Sequence, residues 1–237
     1  MLDYTKDEFN KECTMTYQEL VEYLKQKYGD VKDNYFCTPT CATKNRKITR
    51  TKDGLYVHHI GENEYVNLGQ TAFAKQVSFD YQLANNLVYC NLFEHLILHM
   101  LITDGSDYAT MLKTKQLVGI GGLINFMIPE INSFYAQSKA AGNYEVDTLE
   151  WRKNVHVCLR NNEDIYDQFL HIFAARIYNA SCYIAFSQTE FLNDAELDEL
   201  LEIMSLDKKK QKIFKQVKEV LSDTVYKKLK ELKSPLF

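Results

Sequence analysis

The chain has six histidines, and four of them, His58, His59, His95 and His99, fall within a 42-residue stretch. Imidazole does two kinds of chemistry: a neutral ring nitrogen binds a transition metal, and a ring with a pKa near ~6.5 moves protons at neutral pH. His95 and His99 stand four apart in the apolar run Leu92–Ile102, which reads as a helix, so both rings leave one face. That spacing is the usual helical way to place two imidazoles on one ion. His58 and His59 close the run Leu55–Ile60, which is rich in β-formers and follows the turn signal Asp53-Gly54. Neighbouring strand residues point to opposite sides. At a strand end, one of this pair can reach a metal while the other reaches a substrate. Taken alone, His95 and His99 fit core packing as well as they fit a metal, because leucines, an isoleucine and a phenylalanine surround them. The double histidine and Asn86 tip the balance toward a site, although an asparagine can also simply cap a turn. His156 and His171 read as satisfied core residues.

The stretch Tyr56-Val-His58-His59-Ile60, a long connection, and then Asn86-Leu-Val-Tyr-Cys-Asn-Leu-Phe-Glu-His95-Leu-Ile-Leu-His99 resembles the HNH endonuclease motif. The order strand, loop, strand, helix is that of the ββα-metal, or His-Me finger, nucleases. The steps from Asn86 to His95 and from His95 to His99 match the HNH spacing, and a double histidine also opens the motif in bacterial colicin DNases. The resemblance spans roughly residues 55 to 102. It implies that His59 is the general base that activates water, and that His58, His95 and His99 hold one divalent ion. It implies that Asn86 ties the loop and orients His59. Three imidazoles suit zinc, nickel or manganese. Magnesium prefers oxygen, yet phosphate and water can complete its shell, so all four metals stay open. Many HNH proteins also carry two cysteine pairs for a structural zinc. Here only Cys37-Thr-Pro-Thr-Cys41 offers one, and it reads as two ordinary thiols.

The elements that must position these residues follow from pattern. Thr16 and Glu19 form a capping box ahead of Leu20, Val21, Leu24 and Tyr28, and Gly29 ends that helix. Residues 36 to 52 are irregular and basic, residues 61 to 85 read as a long loop, and Leu87–Cys90 as a second short strand. From about residue 107 the chain reads as helical, with Pro129 breaking or kinking one helix and Asp147 and Asn193 as N-caps. Gly119-Ile-Gly121-Gly122 lacks the lysine of a phosphate loop and reads as a helix junction. The expected fold is α+β: a small ββα-metal module at residues 36–105, between an N-terminal helical region, 1–35, and a C-terminal helical region, 106–237, that serves DNA recognition, a homodimer, or both.

A 46% hydrophobic content excludes a disordered chain. The scattered cysteines, the polar start and the lack of a membrane-length apolar run point to the cytoplasm. The net charge of −4 argues mildly against nucleic acid, but the distribution matters more. Lys44, Arg46, Lys47 and Arg50 form a basic island just upstream of the first strand and are the expected contacts to double-stranded DNA. A lysine-rich tail from Lys208 to Lys233 is the second candidate. The expected function is a metal-dependent endonuclease cutting DNA at specific sites, in the manner of a type II restriction enzyme. A mobile-element, phage or toxin nuclease is the nearest alternative. A metal-stabilised DNA-binding or assembly protein, or a helical interaction protein, is the alternative without catalysis.

Overall fold

The computed structural model describes residues 4–49, 51–106, 118–141, 149–176, 223 and 225–233. Helix α1 (Lys6–Glu12) starts at Thr5, whose hydroxyl accepts from the Glu8 amide. Helix α2 (Tyr17–Tyr28) carries the expected capping box between Thr16 and Glu19, and Gly29 closes it with a φ of 77°. A short turn of helix, α3 (Arg46–Thr49), precedes strand β1 (Tyr56–His59). β1 pairs antiparallel with β2 (Leu87–Cys90), and the register sets His58 opposite Val88 and His59 opposite Leu87. Among the described residues these two strands make the whole sheet. The connection between them, expected as loop, is built of short turns: 3-10 pieces at Ile60–Asn63, Phe79–Gln82 and Ala84–Asn86, and α4 (Thr71–Ala74). The i→i+3 bonds of such turns satisfy backbone groups that a buried loop would leave open.

Helix α5 (Leu92–Gly105) follows β2 directly. Asn91 and Glu94 form its capping box, and every residue from Leu92 to Thr103 except His95 is buried. A helix apolar on all sides needs partners on all sides. It has them: α1, α2 and both strands on one hand, and the Ile120–Gly122 turn, the π-helical turn Leu123–Met127 and α8 (Glu163–Arg176) on the other. Glu94 is itself fully buried, and it accepts from Lys27 Nζ at 2.6 Å, Tyr28 Oη at 2.8 Å and the Asn91 amide at 2.6 Å. That network pins the first turn of α5 one residue ahead of His95.

Helices α6 (Ile128–Ala141) and α7 (Glu150–Arg160) complete the described C-terminal elements, together with helical residues 225–231. Pro129 follows the π turn directly, and the helical run that starts at Ile120 continues through it to Ala141. One apolar cluster runs from Tyr4 to Leu229, so the three regions separated by sequence share a core. Val225 and Leu229, from the lysine-rich tail, are buried in it. Arg50, Asp147, Asn193 and most of the lysine tail lie outside the described residues. No helix among the described residues is long and apolar enough to cross a membrane.

Candidate metal centre

His58, at the end of β1, and His95 and His99, one turn apart on α5, converge. A fourth group joins them: Glu62, delivered by the 3-10 turn that follows β1. One ligand atom from each of the four lies within 4.8 Å of all the others. The ring centroids of His58 and His95 are 5.2 Å apart, those of His58 and His99 5.2 Å, and those of His95 and His99 4.9 Å.

The hydrogen bonds around the rings fix where the protons sit. Tyr17 Oη donates its single proton to the Ile60 carbonyl at 2.9 Å, and His58 Nε2 lies 2.9 Å from the same hydroxyl. His58 Nε2 must therefore carry the proton and donate, which leaves Nδ1 bare. That nitrogen is buried without a hydrogen-bond partner, 3.6 Å from Glu62 Oε2. His99 Nδ1 lies 3.1 Å from the Gly119 carbonyl, which can only accept, so Nδ1 carries the proton. His99 Nε2 is then bare, and it lies 3.2 Å from the same Glu62 oxygen. His95 Nδ1 is also buried without a partner. Lone pairs facing a carboxylate in a dry site repel one another unless a proton or a cation lies among them. The donor set of three imidazoles and one carboxylate fits a divalent transition ion.

Burial lowers the basicity of His58, against the attraction of Glu62, and drives that of His95 down to about 3 with help from His99. Burial alone would raise Glu62; positive charge on the facing imidazoles, with the hydrogen bond that a protonated His99 would donate, outweighs it and holds the carboxyl below the ordinary range. Neutral imidazoles and an ionised carboxylate are the forms that bind metal.

His59 stands beside the cluster, 2% exposed, with its ring centroid 4.3 Å from that of Tyr35. Its Nε2 lies 2.9 Å from Gln82 Oε1. Gln82 is fully buried, and its amide nitrogen donates to the Leu68 carbonyl at 3.2 Å, which fixes which end of the amide faces the histidine. His59 Nε2 therefore donates to Gln82, and Nδ1 is left as the basic nitrogen. Burial holds this ring below the usual histidine value. Asn86 lies elsewhere: its side chain donates to the Asp80 carbonyl at 2.7 Å and so ties the turn before β2. The residue bonded to His59 is Gln82.

The cluster opens into a groove of about 260 Å³ whose walls include Tyr35, Lys44, His59, Gln70 and Met127. Lys44 and Arg46 border an adjoining hollow with Thr43 and Thr49. Lys47 is outside that lining, and its amide bonds Asn45 Oδ1. The glycine-rich junction presses on the cluster from the other side. A Cβ at Gly119, whose φ is +76°, would lie 2.5 Å from Thr103 Oγ1, and one at Gly122 would lie 2.6 Å from His99 Nδ1. Only glycine lets this turn approach close enough to hold His99.

Several of these residues are missing from the sequence reading. Glu62 has a signal, an acid four residues after His58. The glycine cluster is another, in a chain with nine glycines. Tyr17 and Gln82 have no local signal, because they reach the site through tertiary contacts. The described cysteines are free thiols, and none belongs to a potential metal cluster. His171 departs from expectation: it lies on the surface, stacked on Tyr226 at 3.9 Å and 3.6 Å from Asp167. His156 is half-buried against Phe134. Comparison with protein-family models, curated proteins and solved structures gives no match to this chain.

Proposed function

We propose that the chain is a metal-dependent HNH endonuclease that hydrolyses DNA phosphodiester bonds at specific sites. One observation carries this reading. Bare nitrogens of His58 and His99, the half-buried ring of His95 and the Glu62 carboxylate converge beside His59, at the mouth of a groove that also carries Lys44. The order β1, β2, α5 matches the ββα-metal arrangement, so residues 36–105 would hold the catalytic module.

His58, His95 and His99 would hold the ion, with Glu62 as an oxygen ligand. A divalent ion bound there supplies charge relief on the scissile phosphate and on the departing 3′ oxygen. The remaining work falls to the chain. Gln82 keeps the proton on His59 Nε2, so Nδ1 takes the proton from the attacking water. Burial keeps His59 neutral, the form a base requires. Tyr17 and the Gly119 carbonyl hold the His58 and His99 rings in their metal-binding tautomers. Lys44 and Arg46 offset the charge of the DNA backbone. Cutting both strands at one site would use two copies of the chain.

A second reading rests on the donor count. Four protein donors would complete a tetrahedral zinc shell, as in structural sites, and a DNA-binding or assembly protein would use such a shell without chemistry. Incubation of the purified protein with plasmid and long DNAs, with magnesium, manganese, nickel and zinc in turn, separates the two. Discrete fragments support the specific nuclease, and a smear points to a nonspecific one. A metal-loaded protein that leaves every DNA intact favours the structural reading.

A further inference from the structure

The cluster opens on two sides, and the two differ in charge. One is the groove with Lys44. The other is a cavity of about 320 Å³ that shares Glu62, His99, Asn67 and Phe126 with it and extends past them to Gln76 and Asn125. Among the described residues, no lysine or arginine lines this second cavity. A phosphodiester seated at the cluster sends its chain in two directions, so a nucleotide unit must pass on each side. The basic side suits a further phosphate. The other has amides but no cation among its described residues to offset a phosphate beside the Glu62 carboxylate that both sides share, and it suits a neutral group with hydrogen-bonding edges.

Phe126 supplies the flat face for such a group. It is 46% exposed, one of two large hydrophobic side chains so exposed among the described residues. It sits on the π turn Leu123–Met127, where Leu123, Ile124 and Met127 are buried while Asn125 and Phe126 face out. Single π turns recur at functional sites. An aromatic face stacks on any base, and amide side chains pair with base edges, adenine above all.

We propose that this second cavity takes one nucleobase, that of the nucleotide flanking the scissile phosphate, stacked on Phe126 and read by Asn67 and Asn125. The proposal rests on the nuclease reading above. In a duplex it requires that nucleotide to leave the stack, which weakly paired steps permit most readily. It gives the enzyme a source of site choice that backbone contacts cannot provide.

The test compares two small ligands on the manganese-loaded protein by calorimetric titration. One is 2′-deoxyadenosine 5′-monophosphate, and the other is 2-deoxyribose 5-phosphate, which keeps sugar and phosphate but has no base. The nucleotide is expected to bind at least about 5-fold tighter, the lower end of one stacked base. Phe126→Ala should bring the two ligands within about 2-fold of each other, and Phe126→Trp should keep them apart. Equal affinities in the wild type overturn the base pocket and leave the phosphate site standing. A nucleotide preference that survives Phe126→Ala overturns the assignment of its place. Failure of both ligands to bind overturns the nuclease reading as well.

Discussion

Gly122→Ala sets two physical effects against each other. Gly122 has helical dihedrals, φ −64° and ψ −42°, so alanine fits its backbone, and helix propensity alone favours the change by up to ~1 kcal/mol. The new Cβ, however, would lie 2.6 Å from both Cε1 and Nδ1 of His99, where ordinary contact begins at 3.4 Å. The ring must withdraw by about 0.8 Å, the difference between those two distances. Metal–ligand distances tolerate only ~0.2 Å, and the same movement strains the 3.1 Å bond from Nδ1 to the Gly119 carbonyl. Loss of such supporting contacts typically costs ~10–100-fold in metal affinity. Competitive titration with a chromophoric chelator, using zinc or manganese, measures the effect. Gly105→Ala is the control, since it lies on the same helix as His99 and its Cβ would meet nothing within 4 Å. Wild-type affinity in Gly122→Ala would refute the claim that this turn braces His99.

Gln82→Leu should lower single-turnover cleavage by ~10²-fold while metal affinity stays unchanged, because it frees the orientation of His59 without touching a ligand; a parallel loss of metal would assign Gln82 to the fold instead. The half-buried His95 ring sits in a dry cluster and its folded pKa of about 3 lies below the unfolded value of ~6.5, so its contribution to stability is present above pH ~6.5 and is lost as the pH falls toward 3. Between pH 7.5 and 5, metal-free wild type should lose roughly 1–2 kcal/mol more than His95→Phe in denaturant unfolding, and equal losses would place His95 in solvent. Replacing Lys44 and Arg46 together with alanine should weaken binding to all DNAs alike and reduce the log–log salt slope by about one to two. An unchanged slope would move the backbone contact elsewhere.

Local patterns made the frame of the site legible. The capping box at Thr16, the β-forming runs before His59 and Cys90, and the i, i+4 pair on α5 are each written within a few residues, and the structure shows each of those elements. Those patterns left open whether His58 or His59 joins His95 and His99, and the resemblance to the HNH motif chose His58, which the structure brings to the pair. What stayed hidden depends on contacts between distant residues. Tyr17 reaches His58 from α2, and Gln82 reaches His59 from a connection with no periodicity to read. The role of Asn86 was inferred from spacing, yet its short side chain is taken up by the Asp80 carbonyl. The single core was illegible for a similar reason: nothing near Val225 and Leu229 in the sequence says which distant helices they cover.

Cleavage of supercoiled plasmid by wild type and His59→Ala, each first shown to hold one metal ion per chain, tests the central claim most directly. The account predicts metal-dependent cutting by the wild type, abolished by chelator, and a rate at least ~10²-fold lower in the variant at the same metal occupancy. Equal cutting by both would contradict the role given to His59, and intact plasmid with fully loaded wild type would contradict the nuclease itself.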